Sequence, residues 1–126
     1  MLCPSCNQPL VVLEMDEVQV DHCLGCGGVW LDAGELSLIL HGRLDASEEE
    51  WLRAGKVGER RCPLCREKMS LAVLPKSGVE IDLCGRRHGV WLDAGELQQI
   101  IGAEADDARV AKLRGACAKI FGAEKK

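Results

Sequence analysis

Seven of the eight cysteines in this 126-residue chain stand at spacings that let them converge on a metal ion. Cys3-Pro4-Ser5-Cys6 and Cys23-Leu24-Gly25-Cys26 form a Cys-x2-Cys-x16-Cys-x2-Cys array. Two residues between sulfurs allow a tight turn that aims both at one point. Two such turns supply the tetrahedral thiolate set that Zn2+ prefers. Iron held by four thiolates uses the same geometry, so a redox centre is the alternative to structural zinc. Further along, Cys62-Pro63-Leu64-Cys65 is followed by Cys84. The residue aligned with Cys26 is Arg87, which has no lone pair to offer a metal, whereas its neighbour His88 does. The spacing Cys84-x3-His88 suits two ligands, the longer imidazole absorbing a shift of one residue. The expected sites are Cys3, Cys6, Cys23 and Cys26, and Cys62, Cys65, Cys84 and His88, with one Zn2+ each. A fourth position left open by His88 would be needed for hydrolytic zinc, and no general acid or base pattern surrounds it.

The elements that must position these ligands repeat. Gly28-Val29-Trp30-Leu31-Asp32-Ala33-Gly34-Glu35-Leu36 recurs unchanged at Gly89–Leu97. Each copy follows a ligand turn, so the chain reads as two copies of one unit. Leu10–Met15 and Val18–His22 are rich in β-branched and apolar residues around Asp16-Glu17, the pattern of a β-hairpin. Met69–Leu74 and Val79–Leu83 repeat it around a longer loop, Pro75–Gly78. Asn7 follows the first ligand turn, where a left-handed residue is often needed. Trp30 is expected as core over the hairpin. Asp32 and Glu35 have capping-box spacing, which predicts a helix from Ala33 to about His41 with Leu36, Ile39 and Leu40 on one face. The second copy predicts a helix from Asp93 to about Ile101. A cap accounts for both carboxylates without a catalytic role. Leu38 becomes Gln99 in the second helix, which predicts that Leu38 packs against the linker or the other unit.

Four segments are expected: a first unit over 1–42, a helical linker over 43–58 with Ser47 and Glu50 as its cap, a second unit over 59–102, and an amphipathic helix and tail over 103–126. The last helix would carry Val110, Leu113, Cys117, Ile120 and Phe121 along one side. Cys117 has no partner at ligand spacing and reads as core, and His22 and His41 as surface or helix-end residues. A unit of about 40 residues is too small for a hydrophobic core alone, so metal is expected to hold it. The fold class is a small metal-stabilised α+β protein.

The net charge of −4 is uneven. Residues 1–42 hold six acids and no Lys or Arg, whereas 59–102 hold six acids and seven bases. Arg60, Arg61, Arg66, Lys68, Arg86 and Arg87 could form a basic patch for nucleic acid or an acidic partner. With no Tyr and one Phe, stacking platforms for bases are scarce. No leader-like apolar run and no spanning segment is visible, so a reduced, cytoplasmic setting is expected, with no membrane partner.

The run Cys-Pro-x-Cys, a hairpin, then Cys-x-x-Cys-x-Gly-Val-Trp-Leu-Asp-x-Gly-Glu-Leu resembles the transcription-factor-IIB-type zinc-ribbon family of small bacterial proteins. The resemblance covers about 1–42 and 61–102. It implies two ligand turns on hairpin-like elements clasping Zn2+, with Cys3, Cys6, Cys23, Cys26, Cys62, Cys65 and Cys84 as ligands. Arg87-His88 departs from that pattern. The expected function is a non-enzymatic tandem zinc-ribbon interaction module, in a transcription-related setting, binding protein or itself in preference to nucleic acid and taking no small-molecule substrate. The alternatives are a DNA- or RNA-binding regulator acting through the basic face of the second unit, and a rubredoxin-like iron carrier.

Overall fold

The computed structural model describes residues 1–15, 18–39, 55–74 and 77–104, together with Lys112 and Gly115. The first unit contains β1 (Val11–Met15), β2 (Val18–His22), β3 (Val29–Asp32) and α1 (Glu35–Ile39). The second contains β4 (Lys56–Arg61), β5 (Lys68–Val73), β6 (Glu80–Leu83), β7 (Gly89–Leu92) and α2 (Glu96–Glu104). The expected hairpins are β1–β2 and β5–β6, both antiparallel.

The two units are not separate beads. All seven strands form one sheet in the order β1-β2-β3-β7-β6-β5-β4, joined where β3 pairs antiparallel with β7. Both strands are drawn from the repeated nonapeptide, with Val29 opposite Leu92, Trp30 opposite Trp91 and Leu31 opposite Val90. Because each strand meets its own copy, the pairing is self-complementary about the Trp30–Trp91 pair. It is the isologous contact of a two-fold dimer built inside one chain.

Side-chain alternation along these strands sorts the two faces. Val29 and Leu31 of β3, and Val90 and Leu92 of β7, join Leu36, Ile39, Leu97, Ile100 and Ile101 of the two helices in one buried cluster. Trp30 and Trp91 point the other way and pack with Cys3, Cys23, Cys62, Cys84 and Met69. One face of the sheet is thus an aliphatic core under the helices. The other is a tryptophan core between the cysteine turns.

Three expectations change. The helices begin at Glu35 and Glu96, not at Ala33 and Asp93, because Gly34 and Gly95 both adopt φ +83°, a left-handed conformation that a helix cannot include. Each glutamate folds back instead to accept the backbone N–H three residues earlier, Glu35 from Asp32 at 2.7 Å and Glu96 from Asp93 at 2.6 Å. Second, Lys56–Arg61 is a strand on the outer side of β5, where the sequence suggested the end of a linker. Pairing with a distant strand, not local propensity, makes it one. Third, His22 is buried, its Nδ1 3.1 Å from the Gly28 carbonyl, and is not a surface residue. The expected linker helix lies mostly outside the described residues, as do His41, the side chain of Leu38 and most of the expected C-terminal helix, including Cys117.

Candidate metal centres

Each ligand turn is built on the same frame. The N–H of the first cysteine bonds the carbonyl five residues on: Cys3 to Gln8 at 2.7 Å, Cys23 to Gly28 at 3.0 Å, Cys62 to Glu67 at 2.9 Å and Cys84 to Gly89 at 3.1 Å. Within that frame three turns close alike. Asn7, Gly27 and Arg66 each donate to the carbonyl four residues back, and each has positive φ (64°, 82° and 66°). The left-handed conformation expected at Asn7 is present.

The fourth turn is one residue tighter. Arg87, at φ 64°, donates to Cys84 three residues back, so the left-handed residue comes one position earlier than in the first unit. Arg87 thereby takes the bend, and His88 is delivered to the sulfurs. Its Nδ1 lies 3.5 Å from Cys84 Sγ and 3.7 Å from Cys62 Sγ. The substitution of Cys26 by Arg87 is a shift in the turn that exchanges thiolate for imidazole.

The ligand atoms of Cys3, Cys6, Cys23 and Cys26 all lie within 4.8 Å of one another, as do those of Cys62, Cys65, Cys84 and His88. Sulfur pairs stand 3.2 Å apart (Cys6–Cys23), 3.6 Å (Cys3–Cys26) and 3.7 Å (Cys65–Cys84). Tetrahedral Zn2+ with bonds of about 2.3 Å to sulfur sets ligand edges of about 3.8 Å, so both groups fit a tetrahedral ion. Backbone N–H groups also point at the sulfurs, from Ser5 and Cys6 to Cys3 at 3.3 and 3.4 Å, from Cys26 to Cys23, from Leu64 to Cys62 and from Arg86 to Cys84, each at 3.4 Å. Such donors stabilise thiolate charge. Crowding splits the proton affinities of the thiols. Burial pushes Cys62 up to about 11, while the Glu67 N–H draws Cys65 down to about 7. A dication resolves that conflict by taking the sulfurs as thiolates.

The centres share a lid. Trp30 and Trp91 are both fully buried, and each lies against a glycine of the opposite unit. A Cβ on Gly28 would stand 2.6 Å from Cη2 of Trp91, and one on Gly89 would stand 2.7 Å from Cζ2 of Trp30 and strike the Leu31 carbonyl. This reciprocal Trp-on-Gly contact explains why both glycines are needed at the start of the repeat: the indoles occupy the space a side chain would fill. Trp30 is core as expected, but it serves the other unit's strand as well as its own hairpin.

The carboxylates beside the sheet differ between units. In the second, Arg60 Nη1 donates to Asp82 at 3.1 Å and pairs with Asp93 at 2.8 Å. Burial works against the Arg60 charge, but Asp93 and Asp82 outweigh it and hold its pKa above the usual arginine value. Burial also raises the pKa of Asp82, with Arg60 opposing. In the first unit Asp32 accepts the Trp30 indole N–H at 3.2 Å, and burial and then the Asp32 charge raise the pKa of Asp21. Trp91 Nε1 has no such acceptor among the described residues, its neighbour Asp93 being turned to Arg60.

The family described as transcription factor zinc-finger, a TFIIB-type zinc ribbon, matches residues 2–42 and 61–103, two thirds of the chain. The chain belongs to this family. Comparison with curated proteins and with solved structures returned no match. As a tandem zinc ribbon, the protein carries two metal-binding groups, the second with histidine in place of a cysteine.

The basic residues of the second ribbon are brought together only in part. Arg60 is turned inward to its two aspartates, Arg86 pairs with Glu67 at 2.6 Å, and Arg61 donates to the Arg66 carbonyl at 2.9 Å. Lys68 stands 4.0 Å from Glu59. Arg66 and Arg61 line a cleft between the first ligand turns of the two ribbons, with Pro4, Ser5 and Pro63. The inward role of Arg60 has no local signal in the sequence: its partners lie 22 and 33 residues away. No helix among the described residues is long and apolar enough to cross a membrane.

Proposed function

We propose that this tandem zinc ribbon is a non-catalytic interaction module in which two Zn2+ ions are structural, and that its partner is a protein in preference to nucleic acid. The metal reading is carried by the ligand groups themselves. Each offers four protein ligands within reach of one ion, which leaves no position for substrate water. The imidazole in the second group favours zinc over iron–thiolate redox chemistry. For the partner, the supporting observation is how the cationic side chains are spent. Arg60 is turned inward to two aspartates, Arg86 pairs with Glu67 at the surface, and the first ribbon has no Lys or Arg over 1–42. A phosphate backbone needs several free cations along one track. Arg61, Arg66, Lys68 and Arg87 are exposed, and they are the observation on which a nucleic-acid reading would rest. A cytoplasmic, transcription-related setting is consistent with the thiol ligands and the family's description.

Two measurements test this reading. Elemental analysis of protein purified without added metal should give two zinc and no iron per chain. A colourless preparation is expected, and visible charge-transfer absorption would favour the rubredoxin-like alternative. Capture with the intact chain as bait, with and without nuclease, should retain a protein whose recovery does not depend on nucleic acid. Retention that nuclease abolishes would overturn the preference for protein.

A further inference from the structure

The two ligand groups differ in how many of their members can be oxidised and in which of them solvent reaches. In the first, Cys6 is exposed and Cys26 reaches the surface, while Cys3 and Cys23 are buried. Each outer sulfur stands beside an inner one across the site, Cys6 Sγ 3.2 Å from Cys23 Sγ and Cys26 Sγ 3.6 Å from Cys3 Sγ. The four sulfurs therefore divide into two separate pairs, and each pair joins one ligand turn to the other. In the second group Cys62 and Cys84 are buried and Cys65 is half-buried. Its three thiols allow one pair at most, Cys65 with Cys84 at 3.7 Å. That pair leaves Cys62 beside the ring of His88, which cannot become half of a disulfide.

The first group is also built to stay tied once its sulfurs bond to each other. Its turns are closed by backbone bonds that do not involve the ligands' sulfurs, from Cys3 N–H to the Gln8 carbonyl and from Cys23 N–H to the Gly28 carbonyl. The Cys6 and Cys23 sulfurs have only to close from 3.2 Å to a bond of about 2.0 Å. Bridges between residues 17 and 23 apart, Cys6 to Cys23 and Cys3 to Cys26, would staple the same two turns that an ion clasps.

We propose that the first centre is a redox switch, in which a hydroperoxide exchanges the bound Zn2+ for two cross-turn disulfides, Cys6–Cys23 and Cys3–Cys26, while the second centre keeps its ion. This rests on the reading of both ions as structural zinc and adds a regulation to one of them. The exposed Cys6 thiolate attacks hydrogen peroxide, becoming a sulfenic acid and releasing hydroxide. The Cys23 thiolate then displaces a second hydroxide from that sulfur and forms the disulfide. A second peroxide takes Cys26 and Cys3 through the same steps. Four thiolates thus lose four electrons, two peroxides are reduced to four hydroxides, and Zn2+ leaves with its charge unchanged. A centre of four thiolates around Zn2+ carries a charge of about −2, and two disulfides carry none. The first ribbon therefore changes its surface charge while its turns remain tied. In the second centre the odd number of thiols stops the same sequence short, and its buried sulfurs are slower to meet oxidant. Transient disulfides of this kind are the form in which redox sensing occurs in a reducing compartment.

The test uses the zinc-loaded full chain, hydrogen peroxide and a colorimetric zinc indicator. With no Lys or Arg over 1–42, trypsin leaves all four first-ribbon cysteines in peptide 1–43. Cys62 and Cys65 fall together in another peptide, and Cys84 and Cys117 in one each. Limiting peroxide should release one zinc per chain and make peptide 1–43 lighter by four hydrogen atoms. Cys62, Cys65 and Cys84 should remain open to alkylation after denaturation. Cleavage at Glu14 and Glu17 should then leave segment 1–14 bound to segment 18–35, and fragmentation of that pair should assign the two bridges. A thiol reductant with added zinc should restore the lost ion. Oxidation of Cys65 and Cys84 as early as that of the first ribbon, or a link from Cys117 to either centre, would overturn the proposal. So would bridges within the turns, Cys3–Cys6 and Cys23–Cys26, sulfinic acids in place of disulfides, or no zinc release. Two zinc and no iron per chain before oxidant would leave the structural-zinc reading standing in each of these cases.

Discussion

The two ribbons share an unchanged nonapeptide and occupy matching halves of one sheet, yet they use their aspartates differently. In the second, Asp93 is drawn to Arg60 and abandons the indole of Trp91; in the first, Asp32 holds the indole of Trp30. The difference arises from Arg60 on β4, whose place two residues before the first ligand is taken by Met1 in the first unit. Identical local sequence therefore leads to different hydrogen bonding once a distant element changes the charge balance. The ligand turns show the reverse: Arg87 and His88 differ from Cys26 and Gly27, yet a turn tighter by one residue restores a four-ligand group. Metal geometry is conserved against sequence change, while surface electrostatics are not conserved against sequence identity.

The sharpest way to break the comparison is to remove a ligand from each centre. Because Cys23 and Cys84 lie in one buried cluster with both tryptophans, Cys23→Ser and Cys84→Ser should each unfold more than their own ribbon. Structural zinc contributes on the order of 10 kcal/mol in small metal-dependent domains. Hydrogen exchange should lose protection across β3 and β7 together in both variants. Loss confined to the mutated ribbon would show that the shared sheet does not couple them.

Next come the glycines under the indoles. Gly28→Ala and Gly89→Ala should each destabilise the protein by about 1–3 kcal/mol through overpacking against a fixed ring. Gly89→Ala should cost more, because its Cβ also meets the Leu31 backbone carbonyl, which cannot rotate away. Chemical denaturation of the zinc-loaded protein gives both values, and equal costs would contradict the close contact of β3 with β7.

Equivalent aspartates should respond with opposite signs. Asp82→Asn removes the partner of a half-buried guanidinium and should destabilise by roughly 1–3 kcal/mol. Asp21→Asn removes a charge that burial and Asp32 disfavour, and should be neutral or slightly stabilising at pH 7. A carboxylate whose pKa is raised on folding binds its proton more tightly in the native state. Its ionisation therefore costs stability as pH rises through the window above the ordinary aspartate value, and the cost disappears below that value. Any advantage of Asp21→Asn should accordingly shrink on acidification, provided zinc stays bound. A melting series from pH 7 down to the onset of zinc loss checks the sign.

The smallest expected effect concerns the indole N–H groups. Both Trp→Phe variants lose ring volume, but Trp30→Phe also removes the hydrogen bond to Asp32, worth about 1 kcal/mol. Trp91→Phe removes a buried donor without an acceptor among the described residues. Trp30→Phe should therefore be the more destabilising by about that amount, and the opposite order would mean that Trp91 finds a partner in solution.

The sequence by itself determined the parts of this protein that depend on neighbours in the chain. Cysteine spacing marked the ligand turns, and β-branched runs marked the two hairpins. The repeated nonapeptide marked the units, and Asn7 its left-handed bend. These are decided within a few residues, so local types suffice. The starts of the helices were misread because the capping spacing of Asp32 and Glu35 is equally satisfied by a left-handed Gly34. Only the tertiary structure decided that β3 meets β7, that each Trp covers the other unit's glycine, that His22 is buried, and that Lys56–Arg61 becomes a strand bearing a bridging arginine. One signal was available in retrospect: an unchanged strand occurring twice can pair with itself. The rest depends on contacts between residues far apart in sequence, where partner choice follows from burying shared surface and pairing buried charge.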